Sequence, residues 1–216
     1  MTSRLLFSIY LIVLVLTIIK GFIRYKRFDN ATKVLLLLLC ITTISEIICL
    51  IRVENHKGKA PVYHIYTIIE ILLTTAYFLK TIKSYHFSRY MLISATIWPV
   101  LGMLNLVYLQ PLHKFNSNIL MLESICIIAM SLYSLYKILL NDTLHNVLKY
   151  PHFWIWSLQL FYWSSSFFFW GYYEVLMQRG WSLMPSFAKA QAIINILVYF
   201  GIGLTFLFYP KSPQTE

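Results

Sequence analysis

Three glutamates, Glu46, Glu70 and Glu123, stand inside long apolar runs of this 216-residue chain. A carboxylate among hydrocarbon needs a proton, a partner or water, so each of the three is a place where chemistry is concentrated. Helical spacing gives two of them company. Thr42 and Thr43 precede Glu46 by four and three residues, which lets their hydroxyls share its face. Tyr63, Tyr66 and Glu70 follow an i, i+3, i+7 pattern, a single stripe of two phenols and a carboxylate. His64 points away from that stripe. Asn105 and Asn195 are further polar residues within apolar runs, and Glu174, Lys189 and Gln191 flank the last connection. This set can hold helices together, line a pocket for an ion or small ligand, or pass a proton. The candidate pocket is Glu46, Glu70 and Glu123, with Tyr66, His64, Asn105 and Asn195 as its hydrogen-bonding walls.

Other chemistries find little support. The chain has no Gly-rich phosphate loop, HExxH helix or GxSxG elbow, so no catalytic residue is assigned and the chain does not read as an enzyme. Its six histidines lack ligand spacing; His56, His64 and His113 could meet Glu46 or Glu123 at one rim, but loop histidines of this kind are usually solvated, and no metal or cofactor is expected. The transporter signature of broken, repeated helices is weak, although TISEIICL and MLESICII look alike.

These residues are positioned by elements that composition dictates. Hydrophobic residues make up 59% of the chain and charged ones only 12%, with a mean hydropathy of +0.67. So much apolar surface cannot be hidden in one soluble core, and a lipid bilayer must act as part of the solvent. Seven apolar runs cover about residues 4–23, 33–52, 61–80, 90–109, 118–140, 153–175 and 187–208. Each approaches the roughly 20 residues a helix needs to span hydrocarbon. The expected fold is all-α, one polytopic membrane bundle of seven transmembrane helices spanning 1–216. The first run lacks a small-residue cleavage site and reads as a retained signal anchor. The segments Arg24 to Asn30, Val53 to Lys59, Ile82 to Arg89, Gln110 to Ser117, Asn141 to His152 and Met177 to Ser186 read as polar connections. Pro99 is expected to kink the fourth helix.

Charge sets a direction. Of the 18 Lys and Arg, one side of the bundle holds 11, including Lys20, Arg24, Lys26, Arg27, Lys33 and Lys211, and the other holds 7. The positive-inside rule then places the N-terminus outside and the C-terminus inside. On that orientation Glu46 and Glu123 lie about 8–9 Å, and Glu70 about 14 Å, below the outer helix ends. The outer half is polar, while Gln159 is the main polar residue of the inner half. The net charge of +10 is dispersed between runs and is no nucleic-acid footprint. Tyr10, Tyr63, Tyr90, Tyr108, Trp154, Trp181 and Tyr209 sit near run ends, as rings at headgroups do. In the sixth run Ser157, Ser164 and Gly171 recur every seven residues beside Trp156, Trp163 and Trp170, a pattern for close helix packing. Cys40, Cys49 and Cys126 lie in apolar runs and behave as small hydrophobes.

Five segments together carry a resemblance: SEIICL, PVYHIYTIIE, FNSNILMLES, HFWIWSLQLFYWSSSFFF and AQAIINILVYF. The chain resembles a group of small seven-helix membrane proteins of Bacteroidetes-type bacteria, mostly of unassigned function, whose segments are similar to membrane input modules of histidine-kinase sensors. Its helix 3 entry has their His-x-x-x-x-x-Glu spacing, here His64 and Glu70, whereas Ser164, Ser165 and Ser166 stand where a glycine between serines is commoner. The resemblance implies a bacterial inner-membrane protein that senses or binds a small ligand and signals through a membrane partner such as a histidine kinase. It carries over no active site. A small cation- or proton-coupled transporter or channel, and a structural subunit of a membrane complex, are the alternative readings.

Overall fold

In a computed structural model the structure describes residues 3–140, 147–179 and 184–210. His145, Trp181, Lys211 and the side chain of Glu174 lie outside the described residues. The described residues are helical: α1 Ser3–Arg24, α2 Asn30–Glu54, α3 Ala60–Thr81, α4 Phe87–Leu104, α5 Ser117–Leu139, α6 Pro151–Arg179 and α7 Met184–Leu207. Their ends fall within about one turn of the expected ends, except that α4 stops five residues early, at Leu104. Six of the seven are long and apolar enough to cross a membrane. The exception is α6, the longest at 29 residues. Its tryptophans, tyrosines and serines lower its hydropathy, although rings of this kind are at home in a bilayer.

The chain divides into two compact units: Asn30–Glu123, and Met1–Asp29 with Ser124–Glu216. In the first, α3 packs against both α2 and α4. A Cβ on Gly102 of α4 would come within 3.0 Å of Ile68 on α3. Ile71, Tyr77, Leu35 and Leu36 are fully buried there. Helix α4 runs on through Pro99. A π turn follows over Asn105–Leu109, closed by the Gln110 amide donating to the Asn105 carbonyl at 2.7 Å. The reason is a buried polar side chain, Asn105, whose partners sit beyond the helix end.

α2 and α3 both stop by the same device. The residues His56 and Lys83 have φ of 55° and 48°. Next to them Lys57 N–H donates to Arg52 O and Ser84 N–H to Leu79 O, at 2.7 and 3.1 Å. This is a Schellman stop, in which glycine is the residue of least strain. Lys83→Gly should therefore raise folding stability by about 1 kcal/mol, read as a higher unfolding midpoint in mixed micelles; a lowered midpoint would show that the lysine side chain matters more than its backbone.

In the second unit α7 packs against α1 on one face and α6 on another. Two glycines permit this. A Cβ on Gly203 would come 2.9 Å from Thr17 Oγ1 on α1, and a Cβ on Gly201 would come 2.9 Å from the Leu158 methyls on α6. On the expected serine–glycine stripe of α6, Gly171 is exposed and Ser157 and Ser164 are half-buried. The neighbouring stripe is the buried one, with Trp156 and Trp163 each 3% exposed. Trp163 closes it by donating its indole N–H to Gln159.

One end of this unit is tied by polar and aromatic groups together. Phe28 lies against Phe206 and Tyr209, with ring centroids 4.8 and 5.0 Å away. The next residue, Asp29, pairs with His152 Nε2 at 2.9 Å. His152 is therefore a buried residue of the fold, not a solvated loop histidine. Its ring stacks on Trp156 and meets Tyr150 edge-on. Burial, and then the Asp29 carboxylate, pushes the Tyr150 phenol up to about 12. A folded state that keeps a proton the unfolded chain releases near pH 10 loses stability as pH rises from about 10 to 12. Asp29→Asn removes part of the cause and should move the phenolate absorbance of Tyr150 to lower pH; an unmoved titration would discount the contact.

Candidate functional site

Within the unit Asn30–Glu123, α2 and α3 bring four of the sequence-marked side chains together. The Thr42 hydroxyl lies 2.8 Å from that of Tyr66. Tyr66 donates to Glu70 Oε1 at 2.9 Å, and Thr42 donates to the Leu38 carbonyl at 2.9 Å. Glu46 is close enough to Glu70 for the two carboxyl groups to act on one another electrostatically. The stripe read from spacing on α3 is therefore real for Tyr66 and Glu70, and it faces Thr42 on α2.

These three contacts hold a proton count. The hydroxyls of Thr42 and Tyr66 supply two hydrogens for three contacts. With Glu70 ionised, Tyr66 donates to the carboxylate, and the one Thr42 proton is shared between Leu38 O and the Tyr66 oxygen. With a proton on Glu70, the chain reverses: Glu70 donates to Tyr66, Tyr66 to Thr42, and Thr42 to Leu38 O. Each contact then has a hydrogen.

Cys49, one turn beyond Glu46, extends the cluster. It is 1% exposed, and its thiol is within hydrogen-bond reach of the Tyr63 side chain, with Glu46, Lys59 and Arg52 near enough to influence it. It was legible only as a small hydrophobe. Its i+3 spacing from Glu46 was the available signal.

Three further marked residues have hydrogen-bond partners outside this cluster. His64 Nε2 lies 3.1 Å from the Lys114 carbonyl, which can only accept, so Nε2 carries the hydrogen. This histidine fastens α3 to the segment before α5. Asn105 belongs to a separate amide network. Its Nδ2 donates to Gln110 Oε1 at 3.3 Å, its Oδ1 accepts from Asn118 at 3.4 Å, and Gln110 Nε2 donates to Ser117 at 2.8 Å. Asn195 lies in the other unit, where Gln191 donates to its Oδ1 at 3.4 Å and to the buried Ser166 at 2.9 Å. Glu123 is fully buried on α5.

The segment Gln110 to Ser117 is more than a polar connection. Gln110, Asn116 and Ser117 are each no more than 2% exposed. Asn116 donates to Thr67 Oγ1 at 3.0 Å and to the Tyr63 carbonyl at 3.4 Å. These residues were missed because amides near a run end resemble a solvated turn. The density of amides on both sides of the α4–α5 connection, Asn105, Gln110, Asn116 and Asn118, was the clue.

No family model matches the chain, and neither a curated protein nor a solved structure is similar to it.

Proposed function

We propose that the chain is a bacterial inner-membrane module of seven crossings, N-terminus outside and C-terminus inside, that senses or binds a small ligand and signals through a partner in the membrane. The observation carrying this reading is Tyr66 on α3, hydrogen-bonded both to the Glu70 carboxylate and to Thr42 on the facing helix, one turn before Glu46. Two carboxyl groups and two hydroxyls within apolar helices favour a small cationic ligand or a proton, because either relieves the mutual repulsion. The reversible Thr42–Tyr66–Glu70 chain converts that event into a change on α2. The 29-residue length of α6 supports its role as the remaining crossing, and the Lys/Arg bias supports the orientation. A membrane partner such as a histidine kinase, reached through the basic inner connections, is the receiver this reading calls for.

The test uses the full chain in nanodiscs, screened by thermal unfolding against alkali cations and small amines. At a hundredfold excess over its Kd a ligand adds about 2.7 kcal/mol to stability. The expected result is a shift for one cation that vanishes in Glu46→Gln/Glu70→Gln while the variant stays folded. An equal shift in the double variant removes the pair from the site, and cation flux into liposomes that depends on the same residues would make the chain a transporter.

A further inference from the structure

The unit Met1–Asp29 with Ser124–Glu216 holds a cavity that the glutamate cluster does not use. It encloses about 670 Å³ between the start of α6, with the turn before it, and the last turns of α7. Leu148, Trp154 and Leu158 form one wall, and Leu204 and Phe208 the other. Gly201 lies along it, and its lack of a side chain lets α7 approach Leu158 while leaving room above.

Polar groups in these walls already have bonds of their own. The Trp154 indole N–H donates to the Leu148 carbonyl at 2.8 Å, and the Thr205 hydroxyl donates to the Gly201 carbonyl at 3.0 Å. An apolar occupant therefore strands neither of them. Among the described residues of the lining, the charged group is Lys149, which is exposed. The mouth is also at the right level. It lies at the beginning of α6 and the end of α7, where helices that cross a bilayer reach its headgroups.

We infer that this groove binds an anionic phospholipid, with an acyl chain between α6 and α7 and the phosphate on Lys149. The chemistry is complementary at both ends: hydrocarbon against aliphatic and aromatic walls, and a negative headgroup against the Lys149 ammonium. A free phosphate would use the lysine and leave the walls unused, whereas a neutral lipid would use the walls and leave the lysine unused. Basic sites between helices at the membrane surface recognise anionic headgroups in this way.

The experiment is native mass spectrometry of the full chain, released from micelles containing equal amounts of phosphatidylglycerol and phosphatidylcholine. The wild type should retain one phosphatidylglycerol in preference to phosphatidylcholine. Lys149→Glu, an exchange at an exposed site that leaves the fold intact, should cut that preference by at least about fivefold. Leu204→Trp, which fills the groove, should reduce retention of both lipids, with α-helical circular dichroism confirming that it folds. Wild-type preference persisting in Lys149→Glu overturns the headgroup assignment, and undiminished retention in folded Leu204→Trp overturns the groove.

Discussion

Exchange of Tyr66 for phenylalanine is expected to destabilise the folded chain by about 1–3 kcal/mol, the cost of leaving a buried polar group without its hydrogen bond. The ring can stay in place, so packing is preserved and the loss isolates one hydroxyl. That hydroxyl is the joint between Thr42 and Glu70, at 2.8 and 2.9 Å. Glu70→Leu should also destabilise, by removing the carboxylate to which the phenol donates. The two effects will not add. Once the carboxylate is gone, the phenol has less to lose, and a coupling of about 0.5–3 kcal/mol is expected from the double variant. Glu70→Gln behaves differently, because its amide can donate to the Tyr66 oxygen as the protonated acid does. It should retain stability close to that of the wild type while abolishing any response to a cation. Reversible unfolding in mixed micelles measures all four proteins. Strict additivity would show that Tyr66 and Glu70 act independently, and the relay would be abandoned.

Gly203→Leu should be as damaging, at about 3 kcal/mol from overpacking. Even the first carbon of a side chain would lie 2.9 Å from Thr17 Oγ1 and 3.8 Å from Thr17 Cα. Thr17 is 3% exposed and held by 2.9 Å bonds from its hydroxyl to the carbonyls of Val13 and Tyr199. It cannot swing aside without giving up the bond that joins α1 to α7. The helices must then separate, and in a membrane no hydrophobic force between helices restores the contact. Gly201→Ala makes the control. Its added methyl meets the end of the Leu158 side chain, both methyls at 2.9 Å and Cγ at 3.5 Å, which can change rotamer, so a cost below about 1.5 kcal/mol is expected. Equal losses in the two variants would mean that the bonded threonine adds nothing to the cost of filling a glycine contact on α7.

Local patterns in the sequence were enough to place the helices and part of the site. Apolar runs of sufficient length determine where a chain becomes helical in lipid, because each backbone polar group must be satisfied within its own segment. The 3.6-residue period likewise put Tyr66 and Glu70 on one face of α3 before any fold was known. Residues far apart in the chain have no such period between them. The meeting of Tyr66 with Thr42, the pairing of Asp29 with the buried His152 and the reach of Asn116 back to Thr67 were therefore decided by tertiary packing. The same holds for α6. Its serines and its tryptophans recur at one spacing, and spacing alone cannot say which stripe faces inward. The fold buries Trp156 and Trp163 and gives the close approach to Gly201 and Gly203 of α7. The sequence by itself thus determined which residues are costly to place in a membrane and on which helical face they lie; the tertiary structure decided which of them meet, because contact between helices depends on shape at both surfaces and leaves no periodic trace in either strand of sequence.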